Sequence, residues 1–174
     1  RQMAHQKTTT DMDAWDCYQR GMWHLYKISK EELAEARRLF QLASERAPEF
    51  ARAFAGLATI ASVEVSFGYT QDIAATLEQG LRDAEKALTL DDRDGYSHCA
   101  LGRVCTYLGD SDRAIAALEK SIDLNPNYAL SYHVLGSALL WSGRSQDAIP
   151  LITRAIRLSP NEPMLWAFLV TRSF

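Results

Sequence analysis

The chain has 174 residues, of which 47% are hydrophobic and 24% are charged. This balance is typical of one folded domain with a substantial core and argues against a disordered chain. The formal net charge of −3 provides no global positive field for nucleic acid, and no apolar run approaches the roughly 20 residues that span a bilayer. We therefore expect no nucleic-acid partner and no insertion into a membrane.

Residues 1–12 contain no apolar stretch of the kind that a signal peptide carries, and we expect them to be an N-terminal extension. Three cysteines, Cys17, Cys99 and Cys105, are an odd number for the disulfide framework of a secreted protein. We expect reduced thiols that pack as small apolar residues, and a cytoplasmic protein.

The first predicted unit, 13–50, is an irregular pair of helices. A helix around 15–26 contains Gly21, and a second helix carries Ala36 and Phe40 on its apolar stripe. The interval from Gly21 to Ala36 is three residues longer than its counterpart in the regular units that follow.

The second predicted unit, 51–94, has 44 residues, which is ten more than the regular units have. The helical pattern breaks at Gly68, Tyr69 and Thr70. We therefore expect the insertion to lie near 66–77.

The next two units, 95–128 and 129–162, repeat with a period of 34 residues. Residues 163–174 resemble the first helix of a fifth unit whose second helix is missing. The pairs that keep the period are Leu101 and Leu135, Gly102 and Gly136, Gly109 and Gly143, Ala114 and Ala148, Ile122 and Ile156, and Pro126 and Pro160.

Glycines and one proline give local predictions within these units. Gly102 and Gly136 lie inside helices, so we expect them at the points where the paired helices pack closest. Gly109 and Gly143 suit the left-handed residue that follows a helix end. Pro150 falls early in a predicted helix, where it predicts a slightly displaced helix start.

These Leu-Gly, Gly, Ala and Pro positions resemble the tetratricopeptide repeat family. The resemblance implies an all-α fold, a right-handed superhelical solenoid of antiparallel helix pairs that binds proteins. The opening stretch, 14–26, and the later 34–40 look like the repeat region of bacterial adenylate or guanylate cyclases and related signalling regulators. The resemblance to these proteins implies a regulatory module of a longer bacterial protein, whose catalytic domain these residues do not contain.

Motifs for catalysis are absent from the sequence. It contains no Gly-x-Ser-x-Gly, His-Glu-x-x-His or phosphate-binding loop motif, and we expect neither an enzyme nor a cofactor. His98 and Cys105 are seven residues apart, as are Cys17 and His24, but a zinc site needs three or four ligands. We therefore expect no metal site.

The family resemblance places the first helix of each unit on a concave groove. Residues on these helices that lie off the buried stripe are the predicted partner-binding residues. Charged Arg52 and Arg103 have the least reason to be there for packing. Tyr96 and Trp141 could instead pack between adjacent units. The full set is Arg52, Thr59, Tyr96, Arg103, Thr106, His133, Ser137 and Trp141.

These observations predict a non-catalytic module that docks a protein or peptide segment in the groove, with Arg52 and Arg103 as charge anchors. An alternative is homo-oligomerisation, a dimer formed through the apolar residues of 163–174. A further possibility, a small-molecule site under the insertion near 66–77, has no catalytic set to support it.

Overall fold

The computed structural model describes residues 13–161, and this range folds into α-helices without a β-strand. The all-α prediction is confirmed. The predicted extension 1–12 and the fifth-unit helix 163–174 lie outside the described residues. In chain order the helices are α1 Ala14–Leu25, α2 Lys30–Arg46, α3 Ala51–Ser66, α4 Ile73–Leu90, α5 Gly95–Leu108, α6 Ser111–Leu124, α7 Ala129–Trp141 and α8 Ser145–Leu158.

The helices pack as consecutive pairs, and each pair also packs on the next. Short connections make the two helices of a pair antiparallel neighbours. The first helices of adjacent pairs, α1, α3, α5 and α7, pack against one another, whereas the backbones of α2, α4, α6 and α8 lie farther apart. Arg113 of α6 reaches Glu85 of α4 through an ion pair of 2.6 Å. The first helices therefore form an inner face and the second helices an outer face, as in a solenoid.

Glycines allow the paired helices to approach closely. A Cβ atom added to Gly102 would overlap the buried side chain of Leu118, and one added to Gly136 would overlap that of Ile152. In the first pair the ring of Phe40 occupies the same place against Gly21. The expectation for Gly102 and Gly136 is confirmed, because no larger residue leaves space for these partner side chains.

The helix ends follow ordinary capping chemistry. Gly109 and Gly143, which follow α5 and α7, both have φ of 77°, so their predicted left-handed conformation is confirmed. Five helices begin at a side chain that accepts a hydrogen bond from the backbone N–H three residues later. These side chains are Asp13, Ser29, Asp72, Asp94 and Asp110.

The prediction about Pro150 is wrong. Helix α8 begins at Ser145, 34 residues after the first residue of α6, so its start is not displaced. Pro150 lies inside α8, where it has no N–H to donate to the carbonyl of Gln146. The helix keeps its register because Ala148 and Ile152 are fully buried on either side of the proline.

The two irregular pairs distribute their additional residues over helices and connections. In the second pair, α3 is two residues longer than α5, α4 is four longer than α6, and the connection 67–72 has six residues where 109–110 has two. In the first pair, α2 is three residues longer than α6, and the connection 26–29 has four residues.

We expect Gly102→Ala to lower the free energy of unfolding by about 1 kcal/mol. Overpacking a close-packed core costs about 1–3 kcal/mol, and the higher helix propensity of alanine offsets about 1 kcal/mol of this loss. Urea denaturation followed by circular dichroism measures the effect. The same substitution made together with Leu118→Ala should cost less than it does alone, and an equal cost in both backgrounds would contradict the steric explanation.

Candidate functional site

The inner face encloses a cavity of about 200 Å³ between α1, α3, α5 and the start of α7, which we call the inner cavity. Of the described residues that line it, only Arg103 is charged. The apolar and aromatic residues of its wall include Met22, Leu25, Ile28, Val63, Tyr96 and Leu130.

Arg103 is 7% exposed, and its Nε donates a hydrogen bond to Oγ of Ser62 at 3.0 Å. Within 13–161, no carboxylate forms an ion pair with this guanidinium, and its remaining N–H groups have no protein acceptor. Burying a charge without a partner is costly, so such a group usually has a counter-ion. The inner cavity therefore contains a buried cation with no counter-ion among the described residues.

Two tyrosines flank Arg103 at the wall of the inner cavity. The hydroxyl of Tyr96 donates to Oγ1 of Thr59 at 3.2 Å, whereas the hydroxyl of Tyr128 is buried without a hydrogen-bond partner among the described residues. Burial raises the pKa of Tyr96 and of Tyr128 well above the ordinary value, and the positive charge of Arg103 acts in the opposite direction. Both hydroxyls are therefore neutral donors near the buried cation.

Arg52, the other predicted charge anchor, is already paired. Its Nη2 lies 2.9 Å from Oδ1 of Asp94, and its Nε donates to the same oxygen at 3.2 Å. The second oxygen of Asp94 accepts from the backbone N–H and the hydroxyl of Ser97, at 3.0 and 2.7 Å. Arg52 thus joins α3 to the first turn of α5, and its charge is neutralised within the protein.

A second cavity of about 360 Å³, which we call the mouth cavity, shares Met22, Tyr26, Tyr96 and Tyr128 with the inner cavity. Its polar lining includes the Arg52–Asp94 pair and Arg93. The side chain of Arg93 is exposed and forms no ion pair with a described residue. The mouth cavity therefore extends the positive character of the inner face towards solvent.

The inner cavity brings together three of the eight predicted site residues, Thr59, Tyr96 and Arg103. Arg52 lies in the mouth cavity. The remaining four lie elsewhere on the inner helices.

Two of these four bond within their own helices. The hydroxyl of Thr106 donates to the carbonyl of Gly102 at 2.7 Å, and that of Ser137 donates to the carbonyl of His133 at 3.0 Å. His133 itself is half-buried. Trp141 is 62% exposed and makes an edge contact with Tyr107, with 5.4 Å between ring centroids. Trp141 therefore contacts an adjacent repeat while its ring remains largely open to solvent.

Several lining residues were missed by the sequence prediction. Tyr26, the C-cap of α1, and Val63 of α3 correspond in position to Tyr107 of α5 and Trp141 of α7. Tyr107 and Trp141 are 34 residues apart, and aligning the first two units with this regular pair is the signal that could have found Tyr26 and Val63. Tyr128 precedes α7 as its N-cap, a position outside the helical stripe. No periodic signal marks it.

Within the described part of the chain, no three His, Cys, Asp or Glu side chains lie close enough to hold a metal ion. Cys17, Cys99 and Cys105 are buried free thiols. Burial raises the pKa of Cys99, and it raises that of Cys105 to about 11, so these thiols are poor nucleophiles. No helix within 13–161 is long and apolar enough to cross a membrane.

Residues 99–163 match the tetratricopeptide repeat family. The match covers most of α5 and all of α6, α7 and α8. No curated protein matches the chain.

Solved structures with similar folds include a tetratricopeptide repeat protein. TTC0263, a thermophilic TPR protein of Thermus thermophilus, has a TM-score of 0.75 at 19% identity, over 94% of this chain and 83% of that chain. PilF of Pseudomonas aeruginosa has a TM-score of 0.65 at 19% identity, over 92% and 69%. An O-GlcNAc transferase of Thermobaculum terrenum has a TM-score of 0.65 at 18% identity, over 87% and 27%. These likenesses establish the fold, a tetratricopeptide-like solenoid.

We expect Asp94→Ala to destabilise the protein more than Arg52→Ala does. Loss of Asp94 removes the cap of α5 and buried hydrogen bonds, which together contribute about 2 kcal/mol. Arg52 has a side chain that is 45% exposed, so its removal should cost less than about 1 kcal/mol. Urea denaturation of both variants measures the two losses, and an equal loss would contradict a mainly structural role for the carboxylate.

We also expect stability to fall as the pH rises above about 10, the ordinary pKa of tyrosine. Burial raises the pKa of Tyr18 to about 12 and raises the pKa values of Tyr96 and Tyr128 well above the ordinary value, so the unfolded chain loses these protons first. Their stabilising contribution is complete below the unfolded pKa and is lost as the pH rises through the folded values. Phenolate absorbance, recorded with and without denaturant, tests this. Coincident titration curves would refute it.

Proposed function

We propose that this protein is a non-catalytic docking module that binds an acidic, apolar segment of a partner protein along its inner face. The observation that carries the proposal is the burial of Arg103 without an acidic partner among the described residues. A carboxylate from a partner would accept paired hydrogen bonds from this guanidinium and supply the missing counter-charge.

The size and lining of the inner cavity favour a side chain over a free small molecule. Pockets for small molecules usually enclose roughly 300–1,000 Å³, and the inner cavity encloses about 200 Å³. The apolar part of its wall includes the side chains of Met22, Leu25 and Val63. We infer that an apolar side chain of the partner segment enters the inner cavity, and that a neighbouring carboxylate of the same segment reaches Arg103.

We infer that the partner segment continues from the inner cavity into the mouth cavity. Arg93 provides a second, exposed positive charge there, while Arg52 is neutralised by Asp94. The local charge is positive on a chain whose formal net charge is −3. A further acidic residue of the partner would therefore be attracted to Arg93.

We place this module in the regulatory region of a longer bacterial signalling protein, such as a nucleotide cyclase, and in the cytoplasm. The sequence resemblance of 14–26 and 34–40 supports the first assignment. The three free, buried cysteines support the second, because secreted domains of this size more often carry disulfides.

Self-association through 163–174 remains an alternative from the sequence, and sedimentation of the chain with and without that segment tests it.

The proposal is tested by the affinity of labelled peptides for the wild-type chain and for Arg103→Met. One peptide alternates Asp or Glu with Leu or Phe, a second carries Asn and Gln in place of its acids, and a third carries Ser in place of its apolar residues. We expect the first peptide to bind the wild type most tightly, and Arg103→Met to weaken it by about tenfold or more. Fluorescence anisotropy measures each dissociation constant.

Arg38→Met is the matched control, because Arg38 is exposed on α2 and pairs with Glu35 of the same helix at 2.7 Å. It should leave peptide affinity unchanged. If Arg103→Met binds the acidic apolar peptide as tightly as the wild type does, the docking model fails.

A further inference from the structure

Ile28, in the connection between α1 and α2, has a left-handed backbone with φ of 55°. Within 13–161 it is the only residue other than glycine with positive φ. This conformation is strained for a β-branched side chain, and it persists only where the surrounding structure holds it. Ile28 also lines the inner cavity that contains Arg103.

Tyr69 is the residue that holds Ile28 from outside its own turn. The hydroxyl of Tyr69 donates a hydrogen bond to the carbonyl of Ile28 at 3.2 Å. Tyr69 lies in the lengthened connection 67–72, so the additional residues of the second helix pair contact those of the first. The lengthened connections of the two irregular helix pairs, 26–29 and 67–72, thus contact each other beside the inner cavity.

Tyr69 is itself fixed in place by packing and by the backbone. Its ring stacks on that of Phe67, with 5.8 Å between centroids, and its N–H donates to the carbonyl of Glu64 at 2.8 Å. Glu64 in turn pairs with Arg37 of α2 at 2.7 Å. The hydroxyl of Tyr69 is therefore presented to Ile28 by an ordered support.

We propose that Tyr69 is a positioning residue for the inner cavity: its hydrogen bond keeps Ile28 in the left-handed conformation and so sets the wall against which a bound peptide packs. The inference rests on the proposed function in its reference to a peptide. Coupling of this kind is reciprocal, so peptide binding also stabilises the contact between Tyr69 and Ile28.

The test is Tyr69→Phe, which removes one hydroxyl and keeps the stacked ring. We expect the affinity for the acidic apolar peptide to fall by about fivefold, the effect of one lost hydrogen bond. We also expect Ile28 to lose the strong intraresidue amide–Hα NOE of left-handed backbone, measured by NMR without peptide.

Thr76→Val is the matched control. Oγ1 of Thr76 lies 2.8 Å from Oγ1 of Thr70 and donates to the carbonyl of Asp72 at 2.7 Å, so this variant loses two hydrogen bonds to the same connection, both away from Ile28. It should leave both the affinity and the NOE of Ile28 unchanged. A similar loss of affinity in both variants would assign the effect to general loosening of the connection and overturn the inference.

The remaining outcomes separate this inference from the proposed function. If Arg103→Met weakens peptide binding and Tyr69→Phe does not, the docking function stands and the role of Tyr69 is refuted. If Ile28 keeps its left-handed NOE in Tyr69→Phe, the inference is overturned whatever the peptide does. If neither Arg103→Met nor Tyr69→Phe affects binding, the docking function fails together with the role of Tyr69 in it.

Discussion

The close approach of paired helices is the constraint on which the rest of this structure depends. Gly102 against Leu118 and Gly136 against Ile152 fix the spacing within the regular pairs, and Gly21 against Phe40 does so in the first. With the paired helices held close together, the first helices pack along one face and the second helices lie on the opposite face. The inner and mouth cavities lie on this inner face, and so the position of Arg103 follows from helix packing.

Arg103 is an unfavourable residue from the point of view of stability alone. It is nine-tenths buried, and its described partner is a neutral hydroxyl, Oγ of Ser62. Arg52 shows how the same fold satisfies a guanidinium when the role is structural, because Asp94 both pairs with it and caps α5. This contrast is the basis for proposing Arg103, and not Arg52, as a binding residue, because local conflicts of this kind are typical of functional sites.

Much of the fold could be predicted from the period, and part of the site with it. The period identifies the helices and the close-packing glycines of the two regular units, and the family resemblance implies the places of Thr59, Tyr96 and Arg103 on the inner face. It carries no information on partners between different repeats, such as Asp94 for Arg52 or Tyr69 for Ile28, because these contacts join residues that differ in type from one repeat to the next. The expected effect of Pro150 was wrong because buried packing on both sides of the proline outweighs the lost hydrogen bond.

The most direct test of the binding mode is the NMR signal of the Nε–H group of Arg103 during titration with the acidic apolar peptide. This group donates to Ser62 and belongs to the guanidinium that we assign to the partner carboxylate. We expect this signal to shift in proportion to peptide occupancy, and the Asn and Gln version of the peptide to leave it in place. A signal that stays unchanged while the acidic peptide saturates the protein would contradict this binding mode, because the peptide would then bind elsewhere.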